Sequence, residues 1–160
     1  MRWRIVTLFL LFAFSPQLPA MIKDCVVAFV DNTAITLSEL EEEYARSQKA
    51  TPDISKEEVL NGMVNRVLLL KEAKKMRLEA PSEDELLKEY IDLKIRVFIK
   101  IGEKEISDFY QKHIDNFQGK EFEAVRGEIE NYLVEAELNR LLKKHIEELR
   151  KKAYVKIQLE

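Results

Sequence analysis

Glu123-Ala-Val-Arg-Gly-Glu-Ile-Glu-Asn-Tyr132-Leu-Val-Glu-Ala-Glu-Leu-Asn-Arg140-Leu-Leu-Lys-Lys-His-Ile-Glu-Glu-Leu-Arg150-Lys-Lys152 decides how the chain must fold. Phe122, Val125, Ile129, Tyr132, Leu133, Ala136, Leu141, Leu142, Ile146 and Leu149 recur mostly at steps of three and four, the interval that lines one face of an α-helix. At about 1.5 Å per residue such a helix is roughly 45 Å long, more than the width of a compact domain of this size. Its sequence neighbours cannot cover it, so earlier parts of the chain must wrap it. Any length left unwrapped is apolar surface open to a partner. Behind it, Tyr154 to Leu159 alternates Val155, Ile157 and Leu159 with Lys156 and Gln158, the period of a strand.

At the other end stand Met-Arg-Trp-Arg, an apolar run from Ile5 to Phe14 broken only by Thr7, and Ser15-Pro-Gln-Leu-Pro-Ala20. A charged start, an apolar stretch too short to span a bilayer comfortably and a helix-breaking end at a small residue describe a secretory signal peptide, with cleavage expected after Ala20. Removing Arg2 and Arg4 leaves 24 of 26 basic residues against 29 acidic ones, so the formal charge moves from −3 to −5. A net acidic chain with interspersed signs has no footprint for nucleic acid. Residues 21–160 suffice for one domain with a real core. Cys25 is the only cysteine, so no disulfide forms within the chain and packing alone must hold the fold. It reads as a small buried hydrophobe at the start of a strand.

Val26-Val-Ala-Phe-Val30 and Ala34-Ile-Thr36 flank the turn residues Asp31-Asn32-Thr33 and predict a hairpin. A lone hairpin is marginal in water, and the C-terminal tail is the only other strand candidate; the two ends of the exported chain are therefore expected to share one small sheet. Thr36-Leu-Ser-Glu39 and Ser55-Lys-Glu-Glu58 are capping boxes. The first opens a helix of about ten residues that the polar stretch Ser47 to Asp53 should end. The second opens a helix with Val59, Leu60, Met63, Val64, Val67, Leu68, Leu69, Leu70, Ala73 and Met76, apolar on several sides and therefore central. Gly62 within it suggests a close crossing by another helix. Pro81-Ser82 before Glu83-Asp-Glu85 starts a third helix, expected to run to about Ile101 with Leu86, Tyr90, Leu93, Val97 and Ile101 on one face and Leu87, Ile91, Ile95 and Phe98 on the next. After Gly102, residues 103–113 predict a short helix with Ile106, Phe109, Tyr110 and His113 on one side. Phe117-Gln-Gly-Lys120 leads tightly into the long final helix.

The fold class is thus mainly α: several helices forming a cradle, a long C-terminal helix, and a small sheet that pairs the N-terminal hairpin with the C-terminal strand. Residues 21–117 form its N-terminal helical part and residues 121–160 its C-terminal helix and strand.

Motifs for chemistry are missing from the sequence. His-Glu-x-x-His, Gly-x-Ser-x-Gly, a Gly-rich phosphate loop and Cys-x-x-Cys do not occur, so no cofactor, metal or catalytic residue is expected. His145 follows Leu138, Leu141 and Leu142 and reads as a partly buried packing residue. The acid pairs Glu57-Glu58 and Glu147-Glu148 and the triplet Glu41-Glu-Glu43 lie among basic residues at helical spacing, as a solvated face does. What remains is binding through apolar surface.

Taken together, several stretches resemble the chaperone module of the SurA family of periplasmic chaperones and foldases. They are Val26-Val-Ala-Phe-Val-Asp-Asn-Thr-Ala-Ile-Thr36 leading into Ser38-Glu39, Val59-Leu-Asn-Gly-Met-Val-Asn-Arg-Val-Leu-Leu-Leu70 with Glu72-Ala73, Ile106-Ser-Asp-Phe-Tyr110, Val125-Arg-Gly-Glu-Ile-Glu-Asn-Tyr-Leu133, and Leu149-Arg-Lys-Lys-Ala-Tyr-Val-Lys-Ile157. Members of that family typically carry parvulin-type prolyl isomerase domains between the short helix and the final one. Here that place holds only Phe117-Gln-Gly-Lys120, too few residues for such a domain, so no enzymatic activity is expected. The resemblance implies an ATP-independent periplasmic holdase for outer-membrane protein assembly and folding, whose partners are extended segments of unfolded exported or outer-membrane proteins. Ile95, Phe98, Ile99, Phe109, Tyr110 and Phe117 are the expected peptide-binding wall of the cradle. Neither nucleic acid nor stable membrane insertion is expected. The alternatives are an adaptor module that dimerises through the same cradle and a family member that bears the isomerase label without the domain.

Overall fold

A computed structural model describes residues 24–159; the expected signal peptide, residues 1–20, lies outside them. The chain starts with an antiparallel hairpin of β1 (Val26–Val30) and β2 (Thr33–Thr36). Asp31 makes the turn possible by adopting φ 51°, the left-handed region that Asp tolerates better than most residues. Five helices follow: α1 (Leu37–Ala50), α2 (Lys56–Lys75), α3 (Glu83–Lys94), α4 (Glu103–Lys112) and α5 (Phe122–Lys152). Strand β3 (Val155–Ile157) then returns to β1, so the sheet order is β2-β1-β3 with both pairings antiparallel. The two ends meet as their alternation predicts.

Three helix starts follow from their caps. Thr36 Oγ1 accepts from the Glu39 N–H while Glu39 Oε2 accepts from the Thr36 N–H at 2.8 Å, and Ser55 with Glu58 repeats the exchange. Ser82 Oγ caps α3 through the Glu85 N–H. Each cap satisfies donors that the first helical turn leaves without partners. Helix α1 is longer than its sequence suggests, running through Ser47 to Ala50, because nothing before Pro52 stops it.

The main core gathers β1, β2, α1, α2 and α3. Leu40, Leu60, Val64 and Ala73 are completely buried, and Val59, Leu68, Leu69, Leu70, Leu86 and Tyr90 surround them. The C-terminal half of α5 closes this core with Leu142, Ile146 and Leu149. Arg150 locks the crossing: its Nε donates to Asn65 Oδ1 at 2.8 Å and its Nη2 to Asn61 Oδ1 at 3.0 Å, both on α2. The N-terminal half of α5 belongs to a second, smaller cluster, in which Val125 and Ile129 pack with Ile106 and Tyr110 of α4 and with Ile101, Phe117 and Phe122. One helix thus serves two cores, the geometric consequence of its length.

Three further expectations about the fold need correction. Helix α3 ends at Lys94, not near Ile101: Ile95 leaves helical geometry at φ −128°, ψ −59°, and a short 3-10 turn over Arg96–Phe98 follows. Ile95, Val97 and Ile99 are β-branched and weak in helices, and the turn lets Ile95 bury while Ile101 reaches the second cluster. Gly62 marks no close crossing, since a Cβ built there meets nothing within 4 Å. Cys25 is exposed rather than buried, because it precedes β1 and sits outside the register, its carbonyl accepting from the Leu37 N–H at 2.7 Å.

Helix α2 therefore carries two opposite sensitivities within one turn. Leu60→Ala should lower stability by about 2–5 kcal/mol through the cavity it leaves, whereas Gly62→Ala should raise it by about 1 kcal/mol by removing the helical cost of glycine. Urea denaturation of the two variants checks both signs, and a destabilising Gly62→Ala would mean that another chain segment closes on this turn.

Candidate functional site

The chain between α3 and α4 is where apolar side chains leave the cores. Leu93, Val97 and Phe98 are 49%, 62% and 72% exposed, although helical periodicity alone puts them on packed faces. In the turn after α3, Arg96 Nε donates to Asp92 Oδ1 at 2.8 Å and its Nη1 to Glu135 Oε1 of α5 at 2.7 Å. These ion pairs are exposed and worth little by themselves. Their effect is positional, since they pin the connection against the middle of α5.

Beside the pin lies a depression of about 230 Å³ formed by Ile95, Phe98, Leu141 and His145, rimmed by Lys94, Lys144 and Glu148. One turn before Glu135, Tyr132 stands 59% exposed. It begins a second concavity of about 500 Å³ between α4, the turn Ile114–Phe117 and α5. Aromatic rings build this cleft: Phe109 lies 5.2 Å from Tyr132 and 4.4 Å from His113, centroid to centroid, and Phe117 forms the far wall. Gln118 and Gly119, at φ 53° and 80°, turn the chain sharply enough to set Phe117 under Tyr110 and to start α5 at once.

The six expected wall residues fall into three groups. Phe98 is open to solvent, with Ile99 half-buried next to it. Phe109 and Phe117 are half-buried and share the aromatic cleft. Ile95 and Tyr110 are buried at 5% and 9% exposure: Ile95 shows only the edge that floors the depression, and Tyr110 belongs to the second core, its hydroxyl donating to the Lys120 carbonyl at 2.8 Å. Leu93, Val97 and Tyr132 are surface residues that periodicity missed. The alternating β-branched run at 95, 97 and 99 was the signal that α3 would break and release Val97.

His145 is partly buried, and its Nε2 lies 2.7 Å from the Tyr90 hydroxyl. Burial, with the Glu72 carboxylate, pushes the Tyr90 phenol up to about 12, so it stays protonated; it donates to Nε2 in the tautomer that carries the ring proton on Nδ1. The imidazole itself is held below its ordinary value of 6.5, first by burial and then by the Lys94 ammonium. That leaves a packing histidine, and among the described residues no group of His, Cys, Asp and Glu could hold a metal ion. Nor is any described helix long and apolar enough to cross a membrane. No protein-family model matches the chain, and no curated protein is significantly similar to it.

The lowered His145 value has a definite sign. The unfolded chain takes up this proton at higher pH than the folded one, so the stability tied to neutral His145 is whole above about pH 6.5 and declines as the pH falls below it. Chemical denaturation of the protein and of His145→Gln across that range should show a steeper decline for the parent chain; parallel curves would mean that His145 titrates as freely folded as unfolded.

Proposed function

We propose that this protein is an ATP-independent holdase that binds extended segments of unfolded polypeptide on the exposed apolar side chains Val97 and Phe98 and in the aromatic cleft at Tyr132. A single observation carries the reading. A small acidic chain with room for two cores nonetheless keeps Leu93, Val97, Phe98 and Tyr132 in solvent, the first three where the chain passes from one core to the other. Burying a Phe side chain fully is worth about 1.5–3 kcal/mol, and the isolated chain leaves that gain unclaimed here. Shallow sites suit such a role, because a client held by modest apolar contacts is kept from its neighbours and still released to fold. The aromatics offer large contact area at low side-chain entropy cost.

Export belongs to the same proposal: residues 1–20 direct the chain to the periplasm and are removed, and the clients are unfolded outer-membrane or other exported proteins. The ordered resemblance to SurA-type chaperone modules supports this reading, and the four residues at the place of the parvulin insertion argue against isomerase activity.

The test is a dilution experiment. Denatured outer-membrane β-barrel protein is diluted into buffer without nucleotide, with and without this protein, and light scattering is followed. Near-stoichiometric protein should suppress aggregation, and Val97→Ser combined with Phe98→Ser should weaken client binding about tenfold or more, one exposed aromatic being worth at least 1.4 kcal/mol. Because both side chains are exposed, the melting temperature should barely change. Absent suppression by the parent chain, together with a dimer that the double variant separates, would establish the adaptor reading instead.

A further inference from the structure

Between β2, α1, α2 and the start of α3 lies a groove of about 700 Å³, larger than the two concavities at Phe98 and Tyr132. Its floor is apolar, made by Ile35, Ile54, Val59, Met63, Val67 and Leu70. Gly62 opens into it: this residue lines the groove, is exposed, and would place a Cβ with nothing within 4 Å.

One wall is a strand with a free edge. The bonds from Asp31 N to Tyr154 O and from Gln158 N to Val27 O turn the odd-numbered groups of β1 toward β3. The even-numbered ones, Ala28 and Val30, therefore serve β2 through Ile35 and Thr33. Ala34 stands opposite Phe29, so its N–H and C=O point away from β1, and Ala34 lines the groove. Among the described residues no strand pairs with that edge. An extended segment laid along the groove would find there the main-chain donor and acceptor that anchor an added strand.

The rim is predominantly negative. Glu39, Glu42, Glu43, Glu58, Glu83 and Asp84 line it against only Arg46 and Arg66. Arg46 is engaged with Glu43 at 2.8 Å and Arg66 with Asp84 at 2.7 Å, Lys74 reaches Glu83 at 3.3 Å, and the Glu39 and Glu58 carboxylates, which serve as helix caps, meet no cation among the described residues. Hydrogen bonds from Ser55 hold the Glu58 carboxyl below its usual range, so it keeps its charge in mildly acidic solution. A groove with apolar floor, free strand edge and surplus negative rim complements one kind of occupant.

We propose that this groove is a second polypeptide-binding site, which takes an extended segment whose apolar side chains are flanked by Lys or Arg, adding it beside Ala34 of β2. It rests on the proposed holdase reading for the class of ligand, but it is separate in place and in selectivity. The depression at Phe98 carries Lys94 and Lys144 against Glu148, without the surplus of carboxylates that rims the groove.

The test uses two labelled peptides of about ten residues with the same alternating Val and Thr core, a length that extends about 33 Å. One has two Lys at each end, the other two Glu. Fluorescence anisotropy with the purified protein should show the Lys peptide bound about tenfold or more tightly than the Glu peptide at low salt, the difference shrinking as salt screens the rim. Gly62→Trp should abolish the preference without unfolding the protein, as its side chain enters the groove rather than the core. Val97→Ser with Phe98→Ser should leave the preference intact. Equal affinities for the two peptides, or a preference that survives Gly62→Trp with the protein folded, would overturn the proposal, as would a dimer that Gly62→Trp dissociates. A Lys-peptide preference in a protein that fails to suppress client aggregation would uphold the groove and remove the holdase reading alone.

Discussion

The antiparallel pairing of β1 with β3 is the constraint on which the architecture rests. It fixes the C-terminal end of α5 beside the N-terminal hairpin, and Asp31 reinforces the closure from both sides. The Asp31 N–H donates to the Tyr154 carbonyl at 2.7 Å, its Oδ1 accepts from the Tyr154 N–H at 2.8 Å, and its Oδ2 meets the Lys71 ammonium of α2. The Lys71 hydrogen bond and the Tyr154 amide together hold its carboxyl below the usual carboxylate range. With one end anchored there, only the last part of a 31-residue helix can lie on the main core. The first part must travel beyond it, and α4 with the turn after it forms a second core because those residues have no other partner. The exposed connection between α3 and α4 is the span between the two.

Much of this was legible in the sequence, and for local reasons. The capping boxes at Thr36 and Ser55 state where α1 and α2 begin, because a hydroxyl and a carboxylate three residues apart satisfy the same donors in any protein. Alternation in Tyr154 to Leu159 identifies a strand, and a hairpin without a third strand implies what that strand must join. Periodicity failed where tertiary demands outweighed propensity. Residues 95–101 continue a helical pattern on paper, but continuing it would carry the chain past the place where Ile101 and Ile106 find the second core. Gly62 was misread for a different reason: glycine in a helix is equally compatible with a close neighbour and with none, and only the surroundings decide.

The candidate surface was legible in composition and illegible in exposure. Phe98, Phe109 and Phe117 stand where an apolar surface is made, yet Ile95 and Tyr110 carry the same kind of side chain and are buried. A period of 3.6 assigns residues to a face, not to water or protein. The acidic groove was invisible altogether, since its floor comes from β2, α2 and the loop between α1 and α2, and its rim from three helices. Glu42, Glu43 and Glu58 read singly as a solvated helical face. Only folding turns them toward one apolar trough.

On the proposed reading a chain with this much exposed apolar surface must avoid pairing with itself, and both free edges of the sheet carry charge that opposes it. In β3 the groups of Lys156 serve β1, so those of Val155 and Ile157 face outward along the other free edge, beside a Tyr154 that is 62% exposed. A symmetric pairing of two such edges about their middle would bring Lys156 against its own copy, and like charges directly opposite one another disfavour that ladder. The β2 edge is protected differently, by a rim of carboxylates that repels a second acidic chain. On the proposed reading these are two aspects of one requirement. A protein that receives unfolded strands must leave apolar floor and strand edge accessible, and charge is what lets it refuse its own kind without closing those surfaces to others.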